Sequence, residues 1–150
     1  MIPDAIRLPV PYSTVFPFGS LCLSVDPLPE YAAGSTDRPR PQAHDDASGL
    51  PLWVVRVTDL DPEAARPGRT SELRVTIAAV TPPAMPARSA EHVPAHVVFE
   101  GLALAPYVDP ARCLGSSTRC RARLGFRLHA EAMRPAGAGT TATHEEGTQP

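Results

Sequence analysis

Glu72-Leu73-Arg74-Val75-Thr76-Ile77-Ala78-Ala79 is the stretch whose reading decides the fold. In an extended chain Leu73, Val75, Ile77 and Ala79 fall on one side, and Glu72, Arg74 and Thr76 on the other. A period of two marks a strand with one face in a core and the other in water. Four more apolar windows lie between prolines, which lack the N–H that helices and central strands use. In 18–26, Leu21, Leu23 and Val25 alternate with Cys22 and Ser24. In 52–59, Trp53, Val55 and Val57 oppose Val54, Arg56 and Thr58. The window 96–105 changes phase near Glu100 and Gly101, from Val97 and Phe99 to Leu102 and Leu104, which predicts a bulge at the glycine. In 119–130, Ala122, Leu124, Phe126 and Leu128 are expected inward, with Arg121, Arg123, Arg127 and His129 outward.

Between the second and third windows, 61–69 is a polar connection rich in turn formers, so an antiparallel hairpin is expected. Residues 27–50 and 81–95 are polar or rich in proline and read as long loops. The expected class is mainly β: a small antiparallel barrel or sandwich of about five strands with long Pro-rich loops. That strand count is also the one found in an OB-like (oligonucleotide/oligosaccharide-binding) barrel. One β domain is expected over 1–134, followed by a disordered tail over 135–150, where no large apolar side chain occurs after Met133.

Composition limits the function. The chain has 150 residues, 19 of them proline, and a formal charge of −2. All its basic residues are arginine, as a GC-rich coding sequence produces. The weak net charge offers no general attraction to nucleic acid or to an acidic membrane. Its distribution is uneven, however. Residues 1–50 carry three arginines against six acids, whereas 101–136 carry six arginines against Asp109 and Glu131. Three cysteines (Cys22, Cys113 and Cys120) do not suggest a disulfide framework. No signal peptide or apolar run of membrane-spanning length is read, so a cytoplasmic protein without a membrane partner is expected.

The sharpest chemical candidate is the fifth window. Arg121, Arg123 and Arg127 share one side of a strand and Arg119 extends the row, a spacing suited to successive phosphates. Arg56 and Arg74, outward on the second and third windows, widen that patch if they share its surface. The plain alternative is the solvated face of an edge strand, whose charges discourage pairing. Aromatic supply counts against single-strand stacking, because Trp53 patterns inward with Val55 and Val57. The pairs His92/His96 and Cys113/Cys120 are too loosely spaced for a structural zinc site, and no metal or other cofactor is expected. No nucleophile elbow surrounds Ser116 or Ser117, and a Walker lysine is impossible without lysine. Asp45, Asp46, Asp59 and Asp61 read as turn formers. No catalytic residues are assigned, and the chain is read as a non-enzyme.

Several stretches in order resemble the plasmid replication, integration and excision activators of actinobacterial integrative elements. They are Val10-Pro11-Tyr12-Ser13-Thr14-Val15-Phe16-Pro17-Phe18-Gly19, Ser48-Gly49-Leu50-Pro51-Leu52-Trp53-Val54-Val55-Arg56-Val57, Val75-Thr76-Ile77-Ala78-Ala79, and Val98-Phe99-Glu100-Gly101-Leu102 followed by Pro106-Tyr107-Val108. The resemblance spans about residues 6–134 and implies a cytoplasmic accessory protein that switches on replication and excision of a mobile element. It brings no catalytic residues. Cys113 to Cys120 and the 87–94 loop depart from the pattern. Two partners remain open: single-stranded or duplex DNA met by the arginine surface, or a replication or regulatory protein met by the 27–50 and 81–95 loops.

Overall fold

The computed structural model describes residues 5–31, 38–88, 90–109 and 121–137. Its strands are β1 (Leu8–Pro9), β2 (Ser20–Pro27), β3 (Leu52–Asp59), β4 (Glu72–Ala78), β5 (His96–Glu100), β6 (Ala103–Asp109), β7 (Arg123–Ala130) and β8 (Ala132–Pro135). They form one sheet in the order β1-β6-β7-β4-β3-β2-β5-β8, curled into a half-barrel. Among the described residues, helix is limited to α1 (Tyr12–Val15) and a 3-10 turn at Pro62–Ala65. The described residues are thus mainly β, with eight strands where about five were expected, and β4 pairs with β7 in parallel where an antiparallel sheet was expected. No helix in the described residues is long and apolar enough to cross a membrane.

The deciding stretch behaves as its pattern requires. β4 pairs antiparallel with β3, placing Val75 beside Val55 and Leu73 beside Val57. Val55, Val57 and Val75 are fully buried and Ile77 nearly so, while Glu72 and Arg74 are exposed. The connecting turn is set by Asp61, whose side chain accepts from the Glu63 N–H with Pro62 next in line.

β2 corrects its sequence reading. Ser20 and Cys22, not Leu21 and Leu23, are buried, and the register slips between Cys22 and Ser24. The slip is a bulge that shifts the phase, so that Val25 pairs with Val55 and packs against the core. Burial pushes the Cys22 thiol pKa up, which suits a packing group better than a reactive one.

The window 96–105 also differs, and this difference shapes the whole sheet. It forms two strands, β5 and β6, lying near opposite ends of the strand order. No bulge separates them. Val97↔Pro135 and Glu100↔Ala132 pair β5 with β8, and Ala103↔His129 through Asp109↔Arg123 pair β6 with β7. The two ladders keep one register, so that by count Gly101 and Leu102 fall opposite Glu131 and Ala130, but strand pairing is interrupted there and the Glu131 N–H donates to the Glu100 carbonyl at 2.9 Å. The ribbon bends at that point, and the core-facing parity switches on both strands, from Val97, Phe99 and Met133 to Leu102, Leu104, Leu128 and Ala130. Gly101 has a φ of 62°, and a Cβ there would lie 2.5 Å from the Glu131 side chain. The bend therefore carries one ribbon around a corner between the two ends of the sheet.

The segment ahead of β2 closes over the core face. Tyr12, Phe16 and Phe99 form a ring cluster with centroids 5.2 to 6.5 Å apart. The Tyr12 hydroxyl meets Ser20 Oγ at 2.9 Å and donates to the Val97 carbonyl at 2.8 Å, so the buried serine is satisfied. The expected 27–50 loop is braced internally by the Pro29↔Gln42 bridge and tied to β3 at Leu52, which donates to the Ala43 carbonyl and accepts from the Leu28 N–H. At the other end, Pro135 still pairs in β8 and Ala136 donates to the His96 carbonyl.

Gly101→Ala is expected to lower stability by about 1 kcal/mol or more, because a Cβ is disfavoured at positive φ and must also displace Glu131. Thermal denaturation checks this, and an unchanged midpoint would show that the corner does not need the glycine.

Candidate nucleic-acid interface

β7 touches two neighbours, but not along its whole length. Its parallel ladder with β4 covers only Val75↔Leu128, Thr76↔His129 and Ile77↔Ala130. β4 continues back to Glu72 and β7 to Arg123, so the strands diverge below Leu128. On the far side of β6, β1 pairs only with Leu104 and Ala103. Residues 105–109 and 123–127 therefore form a two-stranded arm, held among the described residues by their own ladder.

The arm has two chemically different faces. Pro106↔Phe126 and Val108↔Leu124 continue the line of the core pair Leu104↔Leu128. Leu124 and Phe126, expected inward, are 66% and 52% exposed, and Val108 is 66% exposed. Their side of the strand was read correctly, but the core ends at Leu128, so among the described residues no core lies beneath them.

The opposite face carries Ala105↔Arg127, Tyr107↔Gly125 and Asp109↔Arg123. Tyr107 lies across β7 at Gly125, where a Cβ would sit 2.7 Å from two ring atoms. The Arg127 guanidinium carbon is 4.6 Å from the centre of the same ring. Glycine opens the space, tyrosine fills it, and the ring orients the arginine through a cation–π contact. The sequence reading missed Tyr107; a glycine within an alternating strand was the available signal of a close approach.

Arg123, Arg127 and, just before the strand, Arg121 are exposed. Arg119 lies outside the described residues, as do Cys113 and Cys120. Arg56 and Arg74 are direct cross-strand neighbours. Thr76↔His129 puts them on the same side of the sheet as Arg123 and Arg127. The expected row is thus a face spanning three strands. Its charge is reduced locally, because Arg56 Nε donates to Glu72 Oε1 at 2.8 Å, holding the Glu72 carboxyl below its usual range. Arg74 has no such ion pair among the described residues. Trp53 is half-buried, its Nε1 donating to the Ala79 carbonyl at 2.9 Å.

A second polar site lies outside the corner. Arg7 Nη2 meets Asp45 Oδ1 at 2.7 Å, while Asp45 Oδ2 accepts from the Ser48 N–H and hydroxyl. These bonds, Ser48 first, hold the buried Asp45 carboxyl below its ordinary range. With Thr76, His129 and Glu131 they line an open cleft of about 260 Å³. Burial, reinforced by Arg7, lowers the His129 pKa and so favours the neutral imidazole. Among the described residues, no three His, Cys, Asp or Glu side chains are grouped to hold a metal ion.

No protein family, curated protein or solved structure matches this chain in the comparisons made with each.

The lowered His129 pKa has a definite sign. The fold favours the neutral ring, so its contribution is complete above the ordinary value of 6.5 and is lost as pH falls through 6.5 towards the folded value. Melting temperature is expected to drop over that range, and less so in His129→Gln. A ring titrating above 6.5 by NMR would contradict this.

Proposed function

We propose that this chain is a binding module rather than an enzyme, and that the Tyr107/Arg123/Arg127 face of the β6–β7 arm contacts nucleic-acid phosphates. The observation carrying this reading is the stacking of Arg127 on Tyr107 over Gly125, with Arg123 on the same face. A guanidinium held by a ring loses less freedom when it meets an anion. Such contacts position a nucleic acid without reading its sequence. Arg121 and Arg74 extend the face, and Arg56 has a lesser part because Glu72 occupies it. The curled, mostly antiparallel sheet suits an OB-like mode of binding, in which strands present the surface. The setting follows from the sequence resemblance: a cytoplasmic accessory activator of the replication, integration or excision of a mobile element.

A second reading, recruitment of a replication or regulatory protein, is favoured by the exposed apolar side chains Val108, Leu124 and Phe126.

Fluorescence anisotropy of labelled single- and double-stranded DNA at two salt concentrations tests the first reading. Binding should weaken steeply with salt. Replacing Arg121, Arg123 and Arg127 together by alanine should weaken it further and lower the salt slope by about 2–3 for duplex. Tyr107→Ala should weaken binding with little change in slope, since it removes no charge. Absence of binding at low salt would sink the phosphate reading.

A further inference from the structure

The arm leaves a backbone edge as well as a face. Pro106 distinguishes its two flanks. Proline has no N–H, so the Pro106↔Phe126 step belongs where an antiparallel ladder directs these groups away from the partner strand. The outer flank of β6 therefore lacks a donor at Pro106 and is blunted. On β7, the N–H and C=O of Phe126, and of Leu124 two residues away, turn towards the gap where β4 has diverged. At Leu128, of the same parity, β7 already pairs with β4 on that side. No described strand takes up the edge over 123–127.

We propose that this β7 edge receives an extended segment of a partner protein as an added strand, and that the segment alternates acidic and apolar residues. An added strand places successive side chains on the two faces of the arm. One face offers Arg123 and Arg127, with Arg74 on the same side of the sheet across the gap. The other offers Leu124 and Phe126. Carboxylates match the first and aliphatic groups the second; a uniformly apolar or uniformly acidic strand would satisfy only one.

This chain does not supply such a segment at its described edges. β1 and β8 are two and four residues long, each contains proline, and neither carries a carboxylate. Residues 110–120 contain no acid, and 138–150 contain no large apolar residue. The inference goes beyond the nucleic-acid reading and does not rest on it, since it is carried by the edge and the apolar face. Because Arg123 and Arg127 are shared, peptide and nucleic acid should compete.

The test uses the full chain and a fluorescein-labelled eight-residue peptide alternating glutamate and valine. Its control has the same composition in two blocks. The alternating peptide should bind about tenfold tighter than the block peptide. Phe126→Pro removes the edge donor while keeping the β6 ladder, and should erase that preference without weakening DNA binding. Should this variant fail to fold, methylating the backbone nitrogens of the peptide's pairing residues serves instead and must abolish the preference. Equal affinity for both peptides, or no binding of either, overturns strand addition even if DNA binds. Loss of DNA binding alone overturns only the phosphate reading. Self-association that depends on Leu124 and Phe126 and excludes the peptide would assign the face to a second copy and overturn the proposal.

Discussion

The corner at Gly101 and Glu131 is the constraint on which the rest of the structure depends. A single antiparallel ribbon, 96–109 against 123–135, supplies strands to both ends of the sheet. Only Gly101 and Leu102 separate β5 from β6, and only Glu131 separates β7 from β8. A flat eight-stranded sheet could not have strands from its two ends joined by so few residues, since neighbouring strands are ~4.8 Å apart. The curl therefore follows from connectivity. The parity switch follows too, because a ribbon rounding a corner must exchange its faces to keep apolar groups on the core.

The arm is a product of the same geometry. Beyond the corner β7 lies beside β4 for three residues before the two part. An isolated two-stranded ribbon is marginal in water. Here the ladder is reinforced by Tyr107 crossing to Gly125 and Arg127, and anchored at its base by Leu104 and Leu128. The side chains that contribute least to the core, Val108, Leu124 and Phe126, are those available to another molecule. Arginines on one face and apolar groups on the other make the arm two-sided, whereas the central strands have one face in the core.

Much of the fold was legible in the sequence, and the misses have physical causes. β3 and β4 pair through regular ladders with one face buried, the condition under which period two reports burial faithfully. β2 misled because its buried groups are small: Ser20 is stabilised by hydrogen bonds and Cys22 by packing, while Leu21 and Leu23 are only half-buried. The phase change at Gly101 was visible, but a bulge and a corner give the same local pattern, and only the unbroken register across both strands separates them. On β7 the alternation was visible and the end of the core was not, since the end depends on where β4 departs. On the proposed binding face, strand spacing placed Arg123 and Arg127 on one side, as the register has them. Tyr107 was not found, because its role depends on the residue opposite rather than on its own neighbours.

The two polar sites differ in how freely they can respond to a partner. Arg7 and Asp45 are engaged with each other, and Ser48 completes the carboxylate, so this cluster braces the 38–50 segment against the corner. Introducing an anion there would compete with a bond already made at 2.7 Å. Arg56 is similarly committed to Glu72. Arg127 is held instead by a ring, a contact that fixes direction while leaving the guanidinium's N–H groups free to donate in its plane. Between a charge neutralised by a carboxylate and a charge oriented by an aromatic face, the second is better prepared for an anionic partner. That difference, more than the number of arginines, is what supports the proposal that the arm meets an anionic partner.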